Sequence, residues 1–175
     1  VLLSKAYLEG FYYRPRIDKE LLAAHSKGLI GLSACLRGEV AHLLGQGRDE
    51  AAEKAAASYA DIFGPGNFYI EVMDHGLEPQ RETNPKLVRL ARSLGLPLAA
   101  TNDIHFLGKD DAESHDVLLC IQTNKKISDA DRIKFGSKEF YFKSPEEMER
   151  LFSEIPEALE NTFHIAARCD FQFAK

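Results

Sequence analysis

Three short runs carrying few charges, residues 28–33, 67–73 and 96–100, alternate with stretches of helical spacing, and this alternation most constrains the fold. Strands buried on both faces read as near-continuous apolar runs, which is the signature of parallel sheets covered by helices. In the second run Phe68, Tyr69, Ile70 and Val72 are the aromatic and β-branched types that strands favour. Between the first two runs, residues 39–46 and the alanine-rich residues 49–63 read as helices, the latter stopped by Gly64-Pro65-Gly66. Residues 85–94 place Leu87, Leu90, Ala91 and Leu94 on one helical face, with Gly95 where a C-terminal cap belongs. A shorter helix is expected over 18–26, capped by Asp18 and carrying Leu21, Leu22 and Ala24. The prediction is an α/β fold with parallel strands and outer helices, as a barrel or an open sheet.

The pattern changes after His105. Residues 110–123 read as a helix, 124–138 as polar and turn-like, and 139–143 as a short extended piece. Ser144 then caps a helix with Pro145 at its first position and Glu147 three residues on, and a last helix runs from near Pro156 to Cys169. A chain of 175 residues that is 45% hydrophobic and 28% charged is globular, which excludes disorder, collagen and coiled coil. No stretch approaches the roughly 20 apolar residues of a membrane span, and Glu9, Arg14 and Arg16 break any reading of the opening as a signal peptide. Three widely spaced cysteines, Cys35, Cys120 and Cys169, do not form a disulfide framework and point to a reducing, cytoplasmic compartment. The net charge is −5, with 12 basic and 12 acidic side chains in residues 1–100 against 10 and 15 in the remainder. Such a balance does not make a DNA clamp by electrostatics alone. The start on Val1 and the close on Phe173-Ala174-Lys175, just after an apolar run, read as ends cut from something longer.

The sharpest chemical cluster is Thr101-Asn102-Asp103-Ile104-His105, directly after the third strand. Alternation along an extended backbone puts Asp103 and His105 on one side, where a carboxylate and an imidazole can converge on a metal ion. The same residues also suit a loop in which Asp103 caps the next segment and His105 is simply surface. Strand C-terminal ends are where parallel α/β folds gather ligands, and here they deliver Cys35 after the first strand, Glu71 and His75 at the second, and Asp103 and His105 after the third. Thiolate, imidazole and carboxylate together suit zinc or manganese. Against that, Cys35 also reads as a small buried residue, and His75 before Gly76 as part of a turn. His115, beside Asp111, Glu113 and Asp116, is a candidate partner behind a ligand, or an exposed helix histidine. Cys120 and Cys169 read as core, and His25, His42 and His164 carry no assigned chemistry. Serine-hydrolase, P-loop, dinucleotide and H-E-x-x-H motifs do not occur.

Four longer stretches add a family resemblance. Glu9-Gly10-Phe11-Tyr12-Tyr13-Arg14-Pro15-Arg16-Ile17-Asp18, Gly28-Leu29-Ile30-Gly31-Leu32-Ser33-Ala34-Cys35-Leu36-Arg37-Gly38-Glu39, Ala100-Thr101-Asn102-Asp103-Ile104-His105 and Ser114-His115-Asp116-Val117-Leu118-Leu119-Cys120-Ile121-Gln122-Thr123 together closely resemble the PHP (polymerase and histidinol phosphatase) domain of bacterial replicative C-family DNA polymerases, the DNA polymerase III alpha subunits. The likeness continues through Glu139-Phe140-Tyr141-Phe142-Lys143-Ser144-Pro145-Glu146-Glu147-Met148 and Glu157-Ala158-Leu159-Glu160-Asn161-Thr162. It implies the C-terminal portion of a distorted (β/α)7 barrel. Residues 1–125 would be barrel, and 126–175 an exit segment leading towards the polymerase palm.

The resemblance further implies Cys35, Asp103 and His105 as metal ligands for zinc or manganese, with Asp103 and His105 acting in phosphodiester hydrolysis through metal-activated water, a 3′ to 5′ exonuclease chemistry. His75, His115, Glu71 and Asn102 would be rim residues or lie behind the ligands. Further family ligands would precede Val1, so the chain by itself is expected to be inactive. In the whole polymerase the resemblance implies a separate magnesium-dependent palm, DNA and deoxynucleotides as substrates, a sliding clamp and a proofreading subunit as partners, and no membrane. The main replicative enzyme is expected rather than its error-prone paralogue. Two rivals share the sequence features: a stand-alone PHP phosphatase, against which residues 140–173 argue, and a metal-free scaffold bracing the polymerase.

Overall fold

Strands β1 (Gly31–Leu32), β2 (Phe68–Val72) and β3 (Leu98–Ala100) pair in parallel in the order β1-β2-β3 in a computed structural model that describes residues 1–172. The expected alternation of strand and helix is therefore present. Gly31 faces Phe68, and Ile70 and Val72 face Leu98 and Ala100. The ladder continues past the strand ends through Ser33 N–H to the Tyr69 carbonyl and Thr101 N–H to the Val72 carbonyl, each 3.0 Å. β2 is buried along its whole length, as a central parallel strand must be. The close of the chain expected at Phe173-Ala174-Lys175, with the end of the 126–175 segment, lies outside the described residues.

Helix α2 (Lys19–Ala24) is capped by Asp18, whose carboxylate accepts from Leu21 N–H at 2.8 Å. Helices α3 (Glu39–Gly45) and α4 (Asp49–Phe63) cross from β1 to β2. Helix α5 (Glu78–Leu94) crosses from β2 to β3 and ends on Gly95 in the left-handed conformation. It begins seven residues before the expected start at Pro85. Its first half buries Gln80 and Thr83 instead of apolar side chains, so no hydrophobic period announces it, and the internal proline reads as a first turn. Helix α1 (Leu2–Leu8), for which the sequence offered no element, buries only Ala6.

Helix α6 (Ala112–Thr123) follows a 3-10 turn at Lys109–Asp111. Helix α7 (Pro145–Leu151) has the expected Ser144 and Glu147 capping box. Helix α8 (Pro156–Arg168) is tied to β3 by the Asn161 side-chain amide, which donates to the Leu98 carbonyl at 2.8 Å. A single core joins Val40, Ala52, Ala56, Ile70, Val72, Leu87, Leu98, Phe152 and Ala158, so the C-terminal helices close the same core that the strands open. Cys120 is buried as expected, but Cys169 is exposed because it lies just past the end of α8, where the apolar face no longer meets the sheet. No helix among the described residues is long and apolar enough to cross a membrane.

Gly31 is required by packing. A Cβ there would stand 2.4 Å from the ring of Phe63, which lies over β1. Gly31→Ala is expected to destabilise the protein by about 1–3 kcal/mol through overpacking. Adding Phe63→Leu should recover part of that loss, and urea unfolding of the three variants checks it.

Candidate functional site

The C-terminal ends of the three strands are joined by one carboxylate. Glu71 projects from β2 with only 8% of its surface exposed. Its Oε2 accepts from Ala34 N–H at 3.0 Å, just past β1, and its Oε1 from the Thr101 hydroxyl at 2.5 Å, just past β3. Its own N–H donates to Ser33 Oγ at 2.8 Å. Ala34 has φ +65°, a left-handed conformation that costs a non-glycine residue about 1–2 kcal/mol. The bond to Glu71 offsets that cost and sets the turn that presents Cys35. The same turn needs Gly38, where a Cβ would meet the Ser33 carbonyl oxygen at 2.2 Å.

His75, expected at the rim or behind the ligands, is 1% exposed and sits behind the Asp103 loop. The Asp103 backbone N–H donates to its Nε2 at 3.0 Å, and its Nδ1 lies 3.0 Å from the Gln80 amide. Its ring stacks on Phe140 with centroids 4.3 Å apart and planes nearly parallel. Burial, with the nearby Lys143 ammonium adding to it, holds the His75 pKa below its ordinary value, so the ring is neutral. Lys143 is itself buried. It donates to the Glu139 carbonyl, lies 3.7 Å from the Glu139 carboxylate and covers the Tyr141 ring at 4.4 Å.

Asp103 and His105 converge as their alternation required. Asp103 Oδ1 is 3.6 Å from His105 Nδ1, and the Asp103 carbonyl is 3.3 Å from the same nitrogen. A proton on Nδ1 would point at those oxygens and leave the Nε2 lone pair for a cation. The extended piece 139–143 holds this loop in place: His105 N–H donates to the Phe140 carbonyl at 2.8 Å, and the Asn102 amide to the Tyr141 carbonyl at 2.8 Å. The His105 ring packs against Phe135 at 4.5 Å and Phe140 at 5.4 Å, which also touch each other at 4.7 Å, with His115 edge-on at 5.6 Å. His115 is half-buried there, not an exposed helix residue.

Cys35 is half-buried and lines a separate crevice with Glu71, Met73 and Gln80. Among the described residues no three histidine, cysteine, aspartate or glutamate side chains come together to hold a metal ion. The structure thus pairs Asp103 with His105 and brings His115 alongside, but it does not gather Cys35 with them.

Comparison with known proteins bears on what this arrangement serves. Residues 1–75 match the PHP domain family. Over 170 residues, 97% of the chain, it is 51% identical to the DNA polymerase III subunit alpha of Treponema pallidum. It is 47% identical to that of Borreliella burgdorferi over 97% of the chain, and 45% identical to that of Deinococcus radiodurans over 98%. The chain belongs to the DNA polymerase III alpha-subunit family. It spans 14%, 15% and 13% of the length of these three relatives.

A PHP domain implies a divalent metal, so the donors of this alpha-subunit segment can be tested for fit. No buried side-chain nitrogen or oxygen among the described residues is left without a partner. Glu71 and His75 already spend their polar atoms on Ala34 N–H, the Thr101 hydroxyl, Asp103 N–H and the Gln80 amide. Asp103 and His105 supply two donors, and the described residues by themselves do not complete a metal centre.

Sequence reasoning missed Gln80, Phe135, Phe140 and Lys143, which shape this site, and gave Thr101 no role of its own within the cluster it opens. A lone phenylalanine in the polar run 124–138, and the alternation of buried Phe140 with exposed Phe142, were the available signals.

Glu71→Ala would leave the Ala34 and Thr101 donors unpaired, at roughly 1–3 kcal/mol each. Thr101→Val on that background should recover part of the loss in urea unfolding. The depressed pKa of His75 also sets a pH dependence. As pH falls through about 6.5 the unfolded chain takes up the proton first, so stability declines on acidification until the native His75 itself protonates. His75→Gln should flatten that slope when urea midpoints at about pH 7.5 and about pH 5.5 are compared.

Proposed function

We propose that the chain works as part of a DNA polymerase III alpha subunit, the DNA-directed DNA polymerase of bacterial chromosome replication, in the cytoplasm. The observation that carries this reading is the 51% identity extending over 97% of the chain. In that setting the segment is the C-terminal portion of a (β/α)7 PHP barrel, residues 1–125, followed by an exit towards the palm. DNA and deoxynucleotides are the substrates of the whole protein, magnesium serves its polymerase site outside this segment, and a sliding clamp and a proofreading subunit are its partners. The identity runs on through α7 and α8, which favours a polymerase over a stand-alone phosphatase.

Asp103 and His105, with Cys35, belong in this reading to a zinc- or manganese-dependent phosphoesterase site with 3′ to 5′ exonuclease activity. Ligands from outside the described residues would complete it. The convergence of Asp103 with His105 at the end of a parallel strand supports the assignment. A second reading, a metal-free scaffold bracing the polymerase, is favoured by the absence of a third converging donor among the described residues.

Elemental analysis of the full-length protein separates the two. The active-site reading expects about two or three zinc or manganese ions per chain. Asp103→Ala and His105→Ala should then lose metal and exonuclease activity together while primer extension persists. Wild-type protein without bound metal leaves the scaffold, and wild-type protein that extends no primer overturns the polymerase assignment.

A further inference from the structure

Residues 124–138 run from the end of α6 to the extended piece 139–143 with no helix or strand of their own. Connections of this length without secondary structure are uncommon inside a folded domain and usually serve a function. From 130 to 138 no peptide group is bonded to another peptide group among the described residues. Both ends of the stretch are fixed. Lys125 N–H donates to the Cys120 carbonyl at 2.8 Å behind the left-handed Asn124, and the Phe140 carbonyl accepts from His105 N–H. The middle is held through side chains. Arg132 donates to both carboxylate oxygens of Asp116 on α6, one at 2.7 Å, with only 7% of its side chain exposed, and its Nε donates to the Ile127 carbonyl at 3.0 Å. Arg132 first, then Lys134 and His115, hold the Asp116 carboxyl below the usual carboxylate range. Lys138 reaches Glu113 at 3.2 Å in an exposed pair, which contributes little.

Phe135, in that middle, packs on His105 at 4.5 Å, on Phe140 at 4.7 Å and on His115 at 5.1 Å. Yet a space of about 300 Å³ separates α6 from residues 132–138, so the stretch is not close-packed against the helix. Few buried apolar contacts and no backbone ladder mark a segment that opens locally at low cost. We propose that residues 125–138 are a latched cover over the His105 and His115 rings, with the Arg132 and Asp116 pair as the latch and Phe135 as the part that covers. Breaking the latch lets the stretch lift between its fixed ends and bares both rings. The inference rests on the reading of Asp103 and His105 as the working site, and it gives that site a gated entrance.

Trypsin cleavage and diethyl pyrocarbonate labelling of the native full-length protein, both in chelator-containing buffer and located by peptide mapping, test it. The stretch offers trypsin Lys126, Arg132, Lys134 and Lys138, and cleavage there reads the open population. Asp116→Ala keeps α6 in a good helix former and is expected to raise cleavage at these sites roughly tenfold, the loss of about one charge-assisted hydrogen bond. Labelling of His105 and His115 should rise alongside, with His42 on α3 and His164 on α8 as constant references. Phe135→Ala leaves the latch in place and should raise labelling of both histidines by itself. Glu113→Gln removes only the exposed pair and should stay near wild type in every readout. Histidine labelling that neither Asp116→Ala nor Phe135→Ala raises overturns the proposal. So does cleavage that rises in Asp116→Ala without added labelling, or a Glu113→Gln variant that opens as far as Asp116→Ala. If buried His75 is labelled too in Asp116→Ala, that variant has lost its fold and Phe135→Ala decides. Neither readout draws on metal or activity: full-length protein that binds no metal sinks the phosphoesterase reading and leaves the cover standing.

Discussion

A single buried carboxylate organises the working end of this sheet. Glu71 sits in the middle strand and accepts one bond from the turn after β1 and one from the loop after β3. Parallel strands are joined only through long crossovers, so nothing local aligns their C-terminal ends. The carboxylate does so directly. It stabilises the left-handed Ala34, and through Thr101 it fixes where the Asp103 loop departs. Its two hydrogen bonds, one from the Ala34 N–H and one from the Thr101 hydroxyl, explain why an acidic residue is tolerated in an otherwise apolar strand.

A second layer of support comes from the far side of the loop. Neutral His75 accepts from the Asp103 backbone and stacks on Phe140, whose carbonyl in turn holds the His105 N–H. The Asp103 and His105 side chains are thereby left to face outward, while the groups that orient them are buried. Lys143, covered by Tyr141 and neutralised by Glu139, extends this layer towards α7.

The strand and helix alternation was legible because burial on two faces leaves a strong imprint on composition. Phe68 to Val72, the Asp18 cap, the Ser144 and Glu147 box and the Gly95 terminus all lie where local chemistry placed them. The first half of α5 was illegible because its buried face is made of Gln80 and Thr83, whose partners are distant in sequence. In the site, Asp103 and His105 were visible through alternation within one loop. The separation of Cys35 from that pair was not, since it depends on how far apart two strand ends stand and on which way the Ala34 turn points. His75 shows the same limit: its residue type suggests a ligand, and only the fold reveals that its ring nitrogens face Asp103 and Gln80.

The pairing of residues 139–143 with the loop after β3 also orders events in time. His105 takes its backbone partner from Phe140, and β3 takes its cover from α8, so the contacts that arrange the site span long stretches of chain. Chains emerge from the ribosome N-terminus first, and long-range contacts form late. The three strands can therefore assemble before the Asp103 loop has its anchor. The Asp103 loop takes its final place only when residues 139–143 are free to pair with it.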